Sequence, residues 1–226
     1  MIELSADLGE ASDERGRAIE QEIWPMIDAA NVACGGHTGD EVSMREAARK
    51  ASELGVILGA HPSYPDRMNF GRKTMVMERA ALVASLVDQI ESLRAIAAEE
   101  GMKLERVKPH GALYNDAHRD RATAEAIVEA IRKFENLAIV AIASSQMVAV
   151  ARAGGVRVIR EAFGDRGYRP DGSLIPRSEP GALLSINEAA EQAARFAAAG
   201  DFDTLCIHSD MDDAVERLKA IRRRLA

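Results

Sequence analysis

Cysteine is scarce in this chain and is not arranged to build a disulfide framework. Among 226 residues there are two, Cys34 and Cys206, each inside a short apolar run that we predict to be a strand. The absence of a Cys-x-x-Cys pair, and of the cysteine density of small secreted domains, excludes a disulfide scaffold and indicates a reducing cytoplasm. We expect both thiols to be buried and inert rather than nucleophilic.

The chain also has no excess of positive charge and no long apolar run. The formal net charge is −7, which argues against a nucleic-acid partner because phosphate binding needs a basic stripe. The one dense basic cluster, Arg222-Arg-Arg224, is expected to sit at the negative end of a final helix. No apolar stretch approaches the roughly 20 residues that span a bilayer, and Met1-Ile-Glu-Leu4 lacks the order of a signal peptide. We therefore expect a cytoplasmic protein with no membrane partner.

Nucleotide-binding motifs are missing as well. The chain contains neither G-x-x-x-x-G-K-[ST] nor G-x-G-x-x-G, and the Gly35-Gly36 pair is too short for a phosphate cradle of known type. If ATP takes part in the reaction, this chain has no recognisable phosphate loop with which to hold it.

What the chain does contain is a regular alternation of short apolar runs and longer amphipathic windows, which predicts a parallel sheet. The predicted strands are 2–6, 31–34, 56–60, 106–108, 137–143, 156–162 and 204–208. The predicted helices are 17–29, 40–54, 78–100, 120–135, 144–153, 186–199 and 211–225. Capping boxes are predicted at Thr38–Glu41 and Ser185–Glu188, and glycine caps at Gly55, Gly101 and Gly200. Seven units favour an irregular or incompletely closed β/α barrel as one domain, 1–226; an open doubly wound sheet is the alternative.

Four of the five histidines stand where an apolar run ends: His37, His61, His110 and His208. A fifth run ends with an acid, Asp7. Because the carboxyl ends of parallel barrel strands share one rim, which is where the active sites of such barrels lie, we expect these side chains to converge there.

The segment Lys108-Pro-His-Gly-Ala-Leu-Tyr-Asn115 is the sharpest local feature. Pro109 marks the point where strand pairing stops, and Gly111 is then expected to let the backbone turn. Lys108 and His110, two residues apart, are predicted to face the same side. A cation beside an imidazole suits oxyanion stabilisation with proton transfer nearby. A lysine at a helix end and a hydrogen-bonded core histidine are the structural alternative.

Asp7, His37 and His61 would be neighbours on the rim. One carboxylate and two imidazoles form a plausible set of ligands for a divalent metal. A hydrogen-bonded Asp–His pair for proton transfer is an equally open interpretation.

Two connections are too long for simple turns, 62–74 and 164–178. Both follow strand ends, and their aromatic and aliphatic content favours ordered lids over solvated linkers. They carry Arg72, Arg166 and Arg177, whose planar guanidinium groups suit carboxylate or phosphate ligands.

Taken together, these rim segments resemble the LamB/YcsF family of lactam-utilisation proteins along nearly the whole chain. The matching segments are Ala6-Asp-Leu-Gly-Glu10, Asn31-Val-Ala-Cys-Gly-Gly-His-Thr-Gly-Asp40, Gly59-Ala-His-Pro-Ser-Tyr-Pro-Asp-Arg67, Asn69-Phe-Gly-Arg72, Val107-Lys-Pro-His-Gly-Ala-Leu-Tyr-Asn115, Glu161-Ala-Phe-Gly-Asp-Arg-Gly-Tyr168, Asp171-Gly-Ser-Leu-Ile-Pro-Arg-Ser178 and Cys206-Ile-His-Ser-Asp210. The chain departs from the family pattern at Ser5, where asparagine is usual, at 11–15, where a glycine-rich stretch is usual, and at Ser209, where glycine is usual.

The resemblance implies a seven-stranded distorted barrel related to sugar deacetylases. It also implies cleavage of the lactam of 5-oxo-L-proline to L-glutamate, coupled to ATP hydrolysis, in a complex with two other 5-oxoprolinase subunits. The residues that it marks as catalytic are Asp7, His61, Lys108, His110, Asp165 and Arg166. Substrate contacts are expected from Arg72, Tyr114, Asn115, Arg166 and Arg177.

Three functions remain open on the sequence. The first is a lactam-hydrolysing subunit whose partners perform phosphoryl transfer. The second is a free-standing metal-dependent deacetylase or amidohydrolase, and the third is a binding subunit without catalysis. Each of the three is compatible with a homo-oligomer.

Overall fold

The computed structural model describes residues 2–170 and 172–226. Seven parallel strands form a closed barrel in chain order, with β1 paired to both β2 and β7. The strands are β1 (Glu3–Leu8), β2 (Ala29–Ala33), β3 (Ile57–His61), β4 (Leu104–Val107), β5 (Ala138–Ile142), β6 (Val158–Phe163) and β7 (Thr204–Ile207). The prediction of a seven-stranded barrel is confirmed, and the open-sheet alternative is wrong. The barrel is complete rather than incompletely closed; its irregularity is a register shift between Leu58 and Gly59 where β3 pairs with β4.

Eight α-helices surround the barrel in the part of the chain that the structure describes. They are α1 (Glu14–Ile23), α2 (Glu41–Leu54), α3 (Arg79–Glu99), α4 (Gly111–Arg119), α5 (Arg121–Ile131), α6 (Gln146–Ala153), α7 (Ile186–Ala199) and α8 (Ala214–Leu225). Helix α4 was not predicted, because Gly111 looked like a turn residue; its φ of +55° instead lets the chain enter a helix directly after His110. Helix α1 ends earlier than predicted, at a short 3₁₀ turn over Trp24–Met26 that contains Pro25.

The helix caps agree with the sequence at four of the five predicted positions and differ at one. Ser185 and Glu188 form the predicted capping box, and Gly55 and Gly200 end their helices in the left-handed conformation. Gly101 also has a positive φ, just after α3. The box predicted at Thr38 is wrong: Asp40 directly precedes α2, and its side chain accepts from the Ser43 amide while Ser43 Oγ accepts from the Asp40 amide, both at 2.9 Å.

The barrel lumen is polar, whereas the layer between strands and helices is apolar. Strand side chains alternate between the two faces, and β1 and β4 are not neighbours in the barrel, so contacts between them cross the lumen. Arg106 binds Glu3 in this way near the amino-terminal end, and Lys108 binds Asp7 near the carboxyl-terminal end. The lumen therefore presents ionised groups directly beneath the rim.

The two long connections cover the carboxyl-terminal end of the barrel. The first contains a 3₁₀ turn at Arg67–Asn69 and Phe70 in the left-handed conformation. The second folds back on itself through bridges that pair Arg166 with Leu183 and Tyr168 with Leu174; residue 171, at which one of the matching segments begins, lies outside the described residues. Within the described residues, no helix combines the length and apolar character that a bilayer span requires.

Candidate active site

A cavity of about 560 Å³ opens at the carboxyl-terminal ends of the strands. Its walls include Asp7, His61, Lys108, His110 and His208, so the strand-end residues do converge at one rim. His37 lies in the same cluster but is fully buried behind His110, with the two rings stacked at a centroid distance of 3.7 Å.

Lys108 lies on the cavity floor between two carboxylates. Its Nζ is 2.9 Å from Asp7 Oδ1 and 2.9 Å from Glu161 Oε1, and it lies 3.0 Å from Cys206 Sγ. All four residues are buried. The sequence predicted Lys108 as a free cation for an oxyanion, whereas the structure places it in a network that already contains two negative charges.

Burial and ion pairing shift the pKa values of Asp7 and Lys108 in opposite directions. Burial alone raises the pKa of Asp7, but His61 and Lys108 outweigh it and hold that pKa well below its ordinary value. For Lys108, burial lowers the pKa, and the carboxylate of Asp7 leads the groups that raise it well above its usual range. Asp7 and Lys108 are therefore an ionised pair at neutral pH.

Tyr114 contacts the same network. Its hydroxyl donates to Glu161 Oε2 at 2.6 Å, and burial, followed by the charge of Glu161, raises the pKa of this phenol well above its usual value. Tyr114 lines the cavity, yet its hydroxyl is committed to Glu161. Asn115, the other residue expected to contact substrate in this segment, is exposed and lines the cavity mouth.

His61 and His110 face each other through one ring nitrogen each, His61 Nε2 and His110 Nδ1, which are the inner nitrogens of the pair. Their other ring nitrogens are the outer nitrogens. His61 Nε2 lies 3.0 Å from His110 Nδ1, while His61 Nδ1 lies 2.7 Å from the Lys108 carbonyl and His110 Nε2 lies 2.9 Å from the Phe70 carbonyl. A carbonyl only accepts hydrogen bonds, so each outer nitrogen carries a proton. The Asp7 carboxylate lies 3.4 Å from His61 Nε2. It is the largest of the influences that raise the pKa of His61 against the lowering effect of burial.

Glu10 is a functional residue that the sequence analysis did not single out. Its Oε1 lies 3.0 Å from His37 Nε2, 3.3 Å from His110 Nδ1 and 3.5 Å from His61 Nε2. Burial raises the pKa of Glu10, but hydrogen bonds from His110 and His37 bring it far below its ordinary value. Burial also lowers the pKa of His37 to about 4, so this ring is neutral near pH 7.

The set of groups that could hold a metal differs from the predicted one. Glu10, His37, His61 and His110 each offer one ligand atom, and these atoms lie within 4.8 Å of one another. The sequence proposed Asp7 with His37 and His61. Asp7 lies beside the cluster instead, because its carboxylate accepts hydrogen bonds from Lys108 and from the Asn31 amide.

Gly71 is the position where the backbone approaches this cluster most closely. It has a φ of +62°, and a Cβ added there would stand 2.9 Å from His37 Cβ and 3.0 Å from His110 Cδ2. Only glycine fits both the conformation and the space. The stacked histidine pair therefore depends on a glycine within the first lid loop.

A second acid–base pair, Asp165 with His208, lies at the same cavity. The carboxylate of Asp165 accepts from the His208 amide at 3.0 Å and contacts His208 Nδ1 at 2.9 Å. Asp165 is fully buried; burial raises its pKa, but His208 outweighs that effect and brings the pKa below the ordinary value. With Nδ1 donating to the carboxylate, His208 presents Nε2 as a proton acceptor at the cavity wall.

The three lid arginines have different surroundings. Arg72 and Arg177 both bind the carboxylate of Asp210, at 3.0 Å and 2.5 Å, and line the cavity mouth. The guanidinium of Arg166 is buried and donates to the Ala182 and Ile175 carbonyls, so it fastens the second loop. Asp210 was present in a matching segment, but nothing in its spacing marked it as the partner of two arginines.

A sequence profile of the LamB/YcsF family matches residues 2–226. The chain belongs to the LamB/YcsF family. It is 41% identical over 240 residues to the A-subunit of 5-oxoprolinase from Acinetobacter baumannii strain ACICU, covering 99% of this chain and 94% of that protein. The crystal structure of a lactam utilization protein from Thermus thermophilus superposes with a TM-score of 0.90 at 39% identity, covering 99% of this chain and 95% of that one.

A more distant likeness concerns the fold alone. The catalytic domain of a peptidoglycan N-acetylglucosamine deacetylase from Eubacterium rectale superposes with a TM-score of 0.51 at 10% identity, covering 98% of this chain and 82% of that one. The expected relation to sugar deacetylase barrels is thus confirmed at the level of architecture.

Proposed function

We propose that this LamB/YcsF chain is the ring-opening component of an ATP-dependent 5-oxoprolinase, which converts 5-oxo-L-proline to L-glutamate with two partner subunits. The observation that carries the proposal is the cavity with two acid–base clusters, in a chain 41% identical over nearly its whole length to the A-subunit of a 5-oxoprolinase. A binding subunit without catalysis would not require two clusters of ionisable groups at one cavity.

The chemistry explains why ATP is needed and where it acts. A lactam amide is stable, and phosphorylation of its oxygen activates the carbonyl carbon toward water. Water then adds to that carbon, the ring C–N bond breaks as the nitrogen takes a proton, and a second water displaces phosphate. Since this sequence lacks a phosphate loop, we assign phosphoryl transfer to the partner subunits and water attack to this barrel.

The Asp165–His208 pair is our choice for proton transfer. A histidine whose Nδ1–H is held by a buried carboxylate has its other nitrogen oriented as a base, and His208 Nε2 is at the cavity wall. It can take a proton from the attacking water and return it to the departing ring nitrogen. This replaces the Asp7–histidine pair as the preferred base, because Asp7 is bound to Lys108.

Lys108 keeps an electrostatic role on the cavity floor. Its ammonium group neutralises one of two buried carboxylates and fixes the position of Asp7, whose second oxygen faces His61 at 3.4 Å. Together with His110 it supplies a preorganised polar surface for charge that develops on the substrate. Asp7, His61, Lys108 and His110 thus form the electrostatic wall of the proposed site.

Arg177 is the preferred partner for the carboxylate of 5-oxoproline, with Arg72 beside it. Both already bind one carboxylate, that of Asp210, in a geometry that a substrate carboxylate could share. Arg166 is a weaker choice, because its guanidinium is committed to backbone carbonyls.

The test is reconstitution. Purified partner subunits, ATP and 5-oxoproline are assayed for glutamate release with and without this chain. We expect glutamate to form only when both the chain and ATP are present. Glutamate release by the partners alone would contradict the proposal.

A second candidate, a free-standing metal-dependent amidohydrolase, is favoured by one observation, the cluster of Glu10 with three histidines. It predicts cleavage of a cyclic or acylated amide without ATP and without partners. The same assay, run with this chain alone and added Zn²⁺, separates the two functions.

A further inference from the structure

Four ligand-type side chains meet on one wall of the cavity with unusual closeness. His37 Nε2 and Glu10 Oε1 are 3.0 Å apart, as are His61 Nε2 and His110 Nδ1; Glu10 Oε1 is 3.3 Å from His110 Nδ1 and 3.5 Å from His61 Nε2. Tetrahedral coordination with bonds of about 2.05 Å places neighbouring ligand atoms ~3.3 Å apart. Four of the six separations among these ligand atoms bracket that edge length, and all six are within 4.8 Å.

The hydrogen-bond pattern leaves the inner nitrogens oriented for a cation. His61 and His110 each give their outer N–H to a backbone carbonyl, of Lys108 and Phe70 respectively. In the neutral form of the two rings, both inner nitrogens would carry lone pairs that point at each other across 3.0 Å. Such a contact is stable only if an extra proton or a metal ion lies between them, and an outer N–H held by a carbonyl is the usual arrangement around a metal-bound histidine.

The backbone that carries Glu10 is also fixed by hydrogen bonds. A single carboxylate, Glu20, accepts hydrogen bonds from the amides of Gly9, Glu10 and Ala11 at 2.9 to 3.0 Å, and so fixes the turn that presents Glu10. His37 is 1% exposed, and its Nδ1 has no hydrogen-bond partner among the described residues. Folding alone does not account for a buried imidazole with one nitrogen unsatisfied and the other aimed into an acidic, histidine-rich cluster.

We propose that Glu10, His37, His61 and His110 bind one zinc-class divalent cation, with Glu20 as the residue that positions Glu10. Three imidazoles and one carboxylate suit zinc or a neighbouring transition ion, whereas magnesium and calcium prefer sites built from oxygen ligands. Asp7 is not a ligand in this site, because Lys108 holds its carboxylate. A cation bound there would act as a Lewis acid on the cavity wall. Binding can be measured without any assay of lactam cleavage.

The experiment uses the full chain after removal of metal with a chelator. Zn²⁺ is titrated by calorimetry, and Co²⁺ is added in parallel to record its visible absorption, which reports tetrahedral nitrogen and oxygen ligation. We expect one equivalent of either ion to bind. The Co²⁺ measurement on the wild-type protein keeps the test decisive even if a variant fails to fold.

Three variants and one control locate the site. Glu20→Gln should weaken Zn²⁺ binding by about 10–100-fold, the usual effect of losing a group that orients a ligand, and Glu10→Gln and His37→Gln should weaken it at least as much. Glu22→Gln is the control, since Glu22 lies on the same helix and its exposed side chain forms an ion pair with Lys219 at 3.6 Å. Thermal melts confirm that each variant is folded.

The metal titration and the lactam assay test the two proposals separately. Absence of stoichiometric binding by the wild-type chain, or binding that survives all three variants unchanged, overturns the metal site. Tight binding without any ATP-dependent lactam cleavage leaves the metal site standing and refutes the proposed function instead.

Discussion

Lys108→Met removes the only cation on the cavity floor among the described residues while keeping most of the apolar stem. In the wild-type protein Lys108 is 2% exposed, and its ammonium group lies 2.9 Å from a carboxylate oxygen of both Asp7 and Glu161. The variant leaves the buried carboxylates of Asp7 and Glu161 without the ammonium group that both contact.

The expected loss of stability is large. Breaking a buried ion pair by deleting one partner costs about 3–5 kcal/mol, against a total of roughly 5–15 kcal/mol for a typical domain. The matched control is Lys219→Met, which deletes the exposed pair with Glu22 and should cost about 0–1 kcal/mol. Combining Lys108→Met with Asp7→Asn and Glu161→Gln removes all three charges and should recover part of the loss.

Denaturant unfolding at several pH values measures the effect and its cause. Without Lys108, two like charges share one buried site, and the folded variant takes up a proton more readily than the unfolded chain does. The variant should therefore gain stability as pH falls from 7 to 5, the opposite of an ordinary paired acid. A variant within about 1 kcal/mol of the wild type, with no such pH dependence, would refute the buried-network interpretation.

Three further predictions concern the Asp165–His208 pair and the histidine stack. Asp165→Asn should lower turnover in the reconstituted assay on the order of 10²–10⁴-fold, because His208 loses the group that orients it; near-normal turnover would remove Asp165 from the mechanism. The pKa of Asp165 is depressed in the folded state, so its stabilising contribution is complete above about pH 4 and is lost as pH falls through the folded-state value. Acid unfolding of Asp165→Asn should accordingly be less steep below pH 4. Gly71→Ala should destabilise the protein by more than the ~1–3 kcal/mol of backbone strain alone, since the added methyl contacts His37 and His110. Gly55→Ala, at nearly the same positive φ but in open space, provides the control. Equal losses of stability for both variants would show that contact of the added methyl with His37 and His110 has no effect.

The fold was predictable because its signals are local and repeated. Seven alternations of short apolar run and helical window appear in the sequence, and each of the seven strands lies within a few residues of its predicted position. Two wrong predictions also concerned local features. Gly111 was predicted as a turn residue although it begins α4, and Thr38 was predicted as a cap although Asp40, two residues later, is the cap.

For the candidate site, the sequence predicted only that its residues share one rim of the barrel. Strand-end histidines and Asp7 were identified by position, but the partner of each group depends on side-chain direction across the barrel. Glu10 stands beyond the end of β1, where strand alternation no longer gives its direction. Glu161 lies inside β6, where a single weak signal set it apart from a surface acid. A charged residue inside a strand otherwise dominated by apolar residues was the one available signal for Glu161.

The departures from the family pattern have simple structural roles. Ser5 Oγ accepts a hydrogen bond from Thr204 Oγ1 at 2.9 Å inside the barrel, and Ser209 Oγ donates to the Asp7 carbonyl at 2.8 Å. Neither residue adds a charged group to the cavity. Ser5 supports the strands beneath the site, and Ser209, which lines the cavity, holds the backbone of Asp7.

The most direct test of ring opening at this cavity is the His208→Gln chain combined with its partner subunits, ATP and 5-oxoproline. ATP consumption and glutamate release are followed in the same reaction, with a thermal melt to confirm that the variant is folded. If His208 is the base, phosphoryl transfer by the partners continues while glutamate release falls on the order of 10²-fold or more. Glutamate release at the wild-type rate would contradict the assignment, because the ring would then be opened elsewhere in the complex.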